Sequence, residues 1–420
     1  MDLWAAPRAT APLDAVVELP GSKSVTNRAL VLAALADGRS YVRRPLRSRD
    51  SELMAAALRV LGASVEDDGD DWVVDGGALV CTGDRVDVGN AGTVARFVPP
   101  VAALSTGTIV FDGDPRVRER PLGPLLAALR SLGGSLDRVD ALPVTVTGAG
   151  SLRGGEVTLD ASASSQLVSG LLLSAPRFDL GLTVRHEGPP LPSAPHLAMT
   201  VEALRAAGAA VEDTAFGTWI VKPGPLQARD AVVEPDLSTA AAYLAAPLVA
   251  GGSLTVPDWP ADSSQPGGLL PELLSSMGAQ VSRASDGLTV TAGSLHGVDV
   301  DLRDAGELTP VLAALACFAD GPSTFRGVAH LRLQETDRLA ALVRELTALG
   351  GDVRELSDGL EVRPRPLHGG TFRTYDDHRI AMAAAVVGLG VDGVLVEDIA
   401  TTRKTVPDFV GSWQRMLARA

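Results

Sequence analysis

The sequence is poor in cysteine and in aromatic side chains, has fewer basic than acidic residues, and contains no apolar run long enough to cross a bilayer. Only Cys81 and Cys317 occur. They lie far apart in the apolar stretches ALVCTG and LAALACFA, which excludes a disulfide framework and predicts two reduced core thiols in a cytoplasmic protein. Aromatic residues make up 4% of the chain and the formal net charge is −14, with an isoelectric point near 4.9. That balance opposes attraction to nucleic acid or to an anionic membrane surface, and it leaves few rings for base stacking. No stretch approaches the roughly 20 apolar residues of a membrane-spanning helix, and the opening MDLWAAPRATAPLD lacks the basic-then-apolar pattern of a secretory signal. Neither nucleic-acid nor membrane partners are expected. The six histidines have no HExxH or CxxC companions, so no metal site is predicted. GSKS at 21–24 is not a phosphate-binding loop of the Walker type, which needs Gly directly before Lys, and no GxGxxG or GxSxG motif occurs.

What is present is a repeat. With 420 residues, 46% of them hydrophobic, the chain exceeds what one core usually serves. A helix ending in Leu or Ala, then Gly, then a small residue and a strand recurs as LRVLGASVEDD, LRSLGGSLDRV, LRAAGAAVEDT, LSSMGAQVSRA and LTALGGDVREL. The first glycines are Gly62, Gly133, Gly208, Gly278 and Gly350, 70 to 75 residues apart. A residue just past a helix end commonly needs a positive φ, which glycine adopts freely. A second series of helices, apolar all round, interleaves with the first and ends at Gly38, Gly107, Gly181, Gly251, Gly321 and Gly390. The first series is amphipathic: Leu339, Leu342, Val343, Leu346 and Leu349 form one apolar face with charges between them. The pattern predicts six units of ~70 residues, each with strands around one buried and one half-exposed helix, in two clusters of three. Candidate crossings lie at Leu19-Pro20-Gly21 and in PLQARDAVVEP, so that residues 1–20 and 229–420 form a discontinuous domain and 21–228 an inserted one. The first strand and the last helix are expected to complete a unit together.

Each buried helix begins at a polar mouth: Ser22-Lys23-Ser24, Asn90-Ala91-Gly92-Thr93, Ser164-Ser165-Gln166, Asp236-Leu237-Ser238-Thr239, Glu307-Leu308-Thr309 and Asp376-Asp377-His378-Arg379. Capping explains the hydroxyls and the aspartates. It does not explain cations, because Lys or Arg at a helix N-terminus opposes the dipole by ~0.3–1 kcal/mol. Lys23, Arg28 and Arg379 stand there, and an anion among them would reverse the sign. Further basic residues sit in the connecting loops: Arg116, Arg118, Arg120, Arg332, Arg338, Arg403 and Lys404. A bland reading pairs these with Glu119, Glu335 and Asp337 on a solvated surface. Taken together on an acidic chain, they point to small multi-anionic ligands. His378, at a helix mouth, is set apart from His186 and His368, which read as ordinary surface residues.

The motifs PGSKSVTNRA, GNAGT, PRVRERP, SSQ, QETDRL, YDDHR and RKTVPDF, in that order over the full chain, closely resemble the 5-enolpyruvylshikimate-3-phosphate synthase family. The resemblance implies a two-domain inside-out α/β barrel built from six repeats, three per domain. It implies addition–elimination that transfers the enolpyruvyl group of phosphoenolpyruvate to the 5-hydroxyl of shikimate 3-phosphate, with release of phosphate, without metal or organic cofactor and by a monomer. It further implies that Lys23, Ser24, Arg28, Ser164, Ser165, Gln166, Ser193, Glu307, His330 and Gln334 bind shikimate 3-phosphate. Lys23, Asn90, Gly92, Arg120, Gln166, Arg338, Arg379 and Lys404 would bind phosphoenolpyruvate. The discontinuous domain would carry the phosphoenolpyruvate side and the inserted domain the shikimate-3-phosphate side. Lys23, Glu307 and Glu335 are the candidate catalytic groups. Many relatives have Asp at Glu307, Tyr at His196, Lys at Gln334 and Pro at Phe97. Two other readings are enolpyruvyl transfer to UDP-N-acetylglucosamine, which expects Lys-Asn at the first helix mouth and a reactive loop cysteine, and a non-catalytic repeat scaffold, which leaves the misplaced cations unexplained.

Overall fold

The computed structural model describes residues 3–214 and 217–418. The chain divides into two compact units, residues 21–234 and residues 1–20 with 235–420. The second crossing falls after the strand Asp230–Val232, beyond the 228/229 boundary expected from the sequence. That strand pairs in parallel with Gly38–Arg43, which keeps it in the inserted unit.

In the inserted unit the helices are α1 (Lys23–Leu35), α2 (Arg49–Val60), α3 (Gly92–Leu104), α4 (Gly123–Ser131), α5 (Gln166–Ser174) and α6 (Ala194–Ala206). In the discontinuous unit they are α7 (Ala240–Ala250), α8 (Leu270–Ser276), α9 (Thr309–Ala316), α10 (Arg338–Ala348), α11 (His378–Gly390) and α12 (Phe409–Leu417). Helices α1, α3 and α5 pack on one another in the first unit, and α7, α9 and α11 do so in the second. All thirteen residues of α3 are buried. Burial on every side is what an all-apolar helix requires, because water contact on any face would leave hydrocarbon exposed. The same burial carries α3 through Pro99 and Pro100, and α7 through Pro247, although interior prolines cost each helix a backbone hydrogen bond. Each unit has its own apolar core.

The described residues form six sheets, five of four strands and one of three. The four-stranded sheets share one pattern. In the sheet containing Gly38–Arg43, a parallel partner, Asp230–Val232, lies on one side. On the other, Asp71–Gly76 and then Ser64–Asp68 follow in antiparallel register. The five recurring glycines all lie at positive φ, between 86° and 105°, two residues beyond the last helical residue, and turn the chain into the strand that follows. In the second series, Gly390 lies inside α11 at its last residue rather than beyond it.

The chain ends meet as the sequence suggests. Leu3–Ala5 pairs antiparallel with Val394–Glu397 and completes the three-stranded sheet, while α12 packs on Leu13–Val16. Phe409 and Trp413 of α12 reach Tyr243 of α7 at ring-centroid distances of 5.9 and 5.5 Å.

Candidate active site

The inserted unit gathers its cations where its three central helices begin. Ser22 caps α1, its Oγ 3.5 Å from the Val25 N–H. Lys23 is the first helical residue, and its Nζ lies 3.3 Å from the buried carboxylate of Asp50 on α2. Arg28, 2% exposed, donates to three uncharged oxygens: Ser24 O at 2.9 Å, His196 O at 2.8 Å and Thr200 Oγ1 at 2.8 Å. Its guanidinium also stands 5.3 Å from the Phe97 ring centroid. Burial pushes the Arg28 pKa down to about 9. Ser193, whose φ is 57°, is the N-cap of α6 and so helps set where the His196 carbonyl points.

Beside Phe97, a second group forms around Gly92. Arg120 Nη1 donates to the carbonyl of Asn90 at 2.9 Å and to its side-chain oxygen at 3.3 Å. Arg96 donates to Pro121 O at 2.9 Å, to Gly92 O at 3.3 Å and to Gln166 Oε1 at 3.3 Å. A Cβ at Gly92 would lie 2.7 Å from both Arg120 Nη2 and Arg96 Nη1, so only glycine lets the two guanidiniums close over the start of α3. Burial, and then the Arg120 charge, hold the Arg96 pKa well below that of a free arginine. Ser164 and the buried Ser165 lead into α5, and Ser164 Oγ lies 3.3 Å from the Gln166 N–H. Arg96 was not singled out from the sequence, although a lone cation one turn into the apolar run GTVARFVPP was a usable signal. Asp50 was missed as well, since its pairing with Lys23 is visible only once α2 lies against α1.

The discontinuous unit brings together Glu335, Arg338, Asp377, His378 and Lys404. Asp377 caps α11, with Oδ1 2.8 Å from the Arg379 N–H. The same carboxylate holds Arg338, the first residue of α10, at 2.8 and 3.2 Å. Glu335 accepts from Lys404 Nζ at 2.9 Å and lies 3.0 Å from His378 Nδ1. Burial works against the Arg338 charge, but Asp377, Glu335 and Glu307 outweigh it and hold its pKa above the usual value. Arg379 is 8% exposed in the first turn of α11. Glu307 lies in the short turn before α9, where Ser238 Oγ donates to it at 3.1 Å. A Cβ on neighbouring Gly306 would come within 2.6 Å of His330 Nε2, which places His330 beside that turn. Gln334 ends the turn Ala329–Leu333, directly before Glu335. Ligand atoms of Glu335, Asp377 and His378 come within 4.8 Å of one another. A divalent ion there would face Arg338 and Lys404 at close range, against Coulomb's law.

The bland reading holds for part of the basic set. Arg116 pairs with Glu119 at 2.6 Å, Arg118 with Asp112 at 2.9 Å and Arg332 with Glu355 at 2.7 Å, the three arginines all partly or largely exposed. Asp337 caps α10 through the Ala340 N–H. His186 is half-buried and His368 exposed, whereas His378 is 2% exposed.

Helix mouths furnished with buried cations, in a mixed α/β chain, define a protein that handles small polyanionic metabolites. The model of the family EPSP synthase (3-phosphoshikimate 1-carboxyvinyltransferase) matches residues 7–413, and the chain belongs to that family. It transfers the enolpyruvyl group of phosphoenolpyruvate to shikimate 3-phosphate. Among solved structures, an EPSP synthase from Acinetobacter baumannii matches with a TM-score of 0.80 at 24% identity, covering 99% of this chain and 98% of that one. The enolpyruvyl transferase NikO from Streptomyces tendae matches with a TM-score of 0.78 at 22% identity, covering 98% and 96%. Both likenesses show the mixed α/β fold. Among the described residues, no helix is long and apolar enough to cross a membrane.

Proposed function

We propose that the two cation groups divide the substrates as the family motifs suggest. Lys23, Ser24, Arg28, Ser164, Ser165, Gln166, Ser193, Glu307, His330 and Gln334 bind shikimate 3-phosphate. Lys23, Asn90, Gly92, Arg120, Gln166, Arg338, Arg379 and Lys404 bind phosphoenolpyruvate, and Arg96 joins this set through its contact with Gln166. The observation that carries the reading is the pair of buried guanidiniums, Arg28 and Arg96, bonded to uncharged oxygens. A dianionic ligand brought to them supplies the countercharge that these partners do not.

The reaction is an addition followed by an elimination. A base takes the proton of the attacking 5-hydroxyl while an acid protonates the methylene carbon. The reverse transfers then expel phosphate from the tetrahedral intermediate. Glu307, Glu335 and Lys23 are the groups proposed for these steps. Glu335, between Lys404 and His378, has an ammonium on one side and an imidazole nitrogen on the other. Guanidiniums already in place stabilise the phosphate as it leaves. The shared strand order of five sheets supports a further reading: six repeats, three per unit, form an inside-out α/β barrel in which helices are central and sheets peripheral.

The test is phosphate release from phosphoenolpyruvate with each candidate acceptor in turn. Lys23→Met is expected to lower kcat by ~10²–10⁴, the usual range for a lost acid–base group, with the circular dichroism spectrum unchanged. A full rate in that variant removes Lys23 from the chemistry. Arg120→Ala should raise KM for phosphoenolpyruvate far more than KM for shikimate 3-phosphate, and equal rises would refute the division.

A further inference from the structure

Glu345 on α10 is 4% exposed and takes no part in the proton transfers above. Its Oε2 accepts the backbone N–H of Arg373 at 2.9 Å, and its Oε1 accepts the hydroxyl of Tyr375. Arg344 adds a guanidinium 6.0 Å from the Tyr375 ring centroid. Tyr375 and Asp376 are both left-handed, with φ of 55° and 56°. Two consecutive residues other than glycine in that region are strained and persist only when neighbouring contacts impose the conformation. The segment closes through the Asp377 N–H, 2.9 Å from the Thr374 carbonyl. Asp377 then starts α11 and grips Arg338.

Arg338 and Glu345 lie two turns apart on one face of α10. Helix α10 therefore holds the same loop at two points, through Arg338 to Asp377 and through Glu345 to Tyr375 and Arg373. The first belongs to the site and the second lies behind it. We infer that Tyr375 and Glu345 are positioning residues for the phosphoenolpyruvate side. Their hydrogen bond holds the left-handed pair that determines where Asp377, His378 and Arg379 enter α11. This rests on the assignment of Arg338 and Arg379 to phosphoenolpyruvate. Without the hydroxyl, Glu345 keeps its bond to the Arg373 N–H but no longer draws in Tyr375. The left-handed pair is then free to relax towards extended backbone, which moves the Asp377 carboxylate and, with it, Arg338.

The experiment is steady-state kinetics of the full chain carrying Tyr375→Phe, with each substrate varied. The expected result is a fall of about tenfold in kcat/KM for phosphoenolpyruvate, carried mainly by KM, as a small misplacement of binding groups produces. KM for shikimate 3-phosphate should stay within about twofold and Tm within a few degrees, because most of that ligand's residues lie in the other unit. Adding Asp376→Gly to Tyr375→Phe should recover most of the loss, since glycine takes the left-handed conformation without help. Unchanged kinetics in Tyr375→Phe overturns the inference. So do equal losses for both substrates that follow a drop in Tm, or a double variant no better than the single one. A parent enzyme releasing no phosphate would instead sink the functional reading, whereas an active parent beside an unaffected variant sinks this inference alone.

Discussion

The two units meet the same electrostatic problem, a buried guanidinium near a helix start, and answer it in opposite ways. In the inserted unit, Arg28 and Arg96 are held by carbonyls, a hydroxyl and an amide oxygen, and burial depresses their pKa values. In the discontinuous unit, Arg338 is held by Asp377 with Glu335 nearby, and its pKa is raised. The first arrangement is costly without an anion and gains most from one. The second is already compensated, which leaves its carboxylates close enough to cations and to His378 to exchange protons. Similar architecture thus sets buried guanidiniums on uncharged oxygens in one unit and on a carboxylate in the other.

That contrast is open to direct attack. Arg338→Met should be the most damaging change, because it strands Asp377 in the core; a loss of about 3–5 kcal/mol is expected for a broken buried pair, read by urea unfolding. A loss below ~1 kcal/mol would show that the Asp377 pair contributes little and blur the comparison. Inorganic phosphate at 100 times its Kd should stabilise the parent by about 2.7 kcal/mol. Arg28→Met should forfeit most of that gain, and a full gain in the variant would place the anion elsewhere. Gly92→Ala pushes a methyl group against Arg96 and Arg120. It should raise KM for phosphoenolpyruvate by about tenfold, which is ~1.4 kcal/mol, and an unchanged KM would mean that the guanidiniums yield freely.

The smallest effect is on stability through Arg28 itself. Its folded pKa of about 9 lies below the ordinary 12.5, so the folded state disfavours the charge. The resulting penalty is fully present below pH 9 and fades as pH rises from about 9 towards 12.5. Arg28→Met should therefore unfold within ~1 kcal/mol of the parent at pH 7, and any advantage it has should shrink above pH 9. A variant that loses several kcal/mol at pH 7 would show that the hydrogen bonds of Arg28 outweigh its desolvation.

Much of this was legible in the sequence because it is local. The glycines at 62, 133, 208, 278 and 350 announce helix ends, since a positive φ is a property of one residue and its neighbours. Helices without a polar face had to be buried, and the misplaced Lys23, Arg28 and Arg379 marked their mouths. The strand Leu3–Ala5 was expected to need the far end of the chain. What escaped was pairwise. Asp50 reads as an early residue of an amphipathic helix until Lys23 lies 3.3 Å away, and Glu345 reads as a solvated charge until Arg373 and Tyr375 bury it. The second crossing was placed too early because the three-residue strand Asp230–Val232 has no periodicity of its own and is defined by its partner.

From the order of its residues alone, this chain settled the number and kind of its helices' faces, the turns that separate them and the family to which its motifs belong. Those features depend on contacts a few residues long. Which buried arginine keeps a carboxylate and which does not was decided only by the tertiary structure. Countercharge depends on distance through space: Asp377 stands 39 positions from Arg338 in the chain, and Gln166 stands 70 from Arg96.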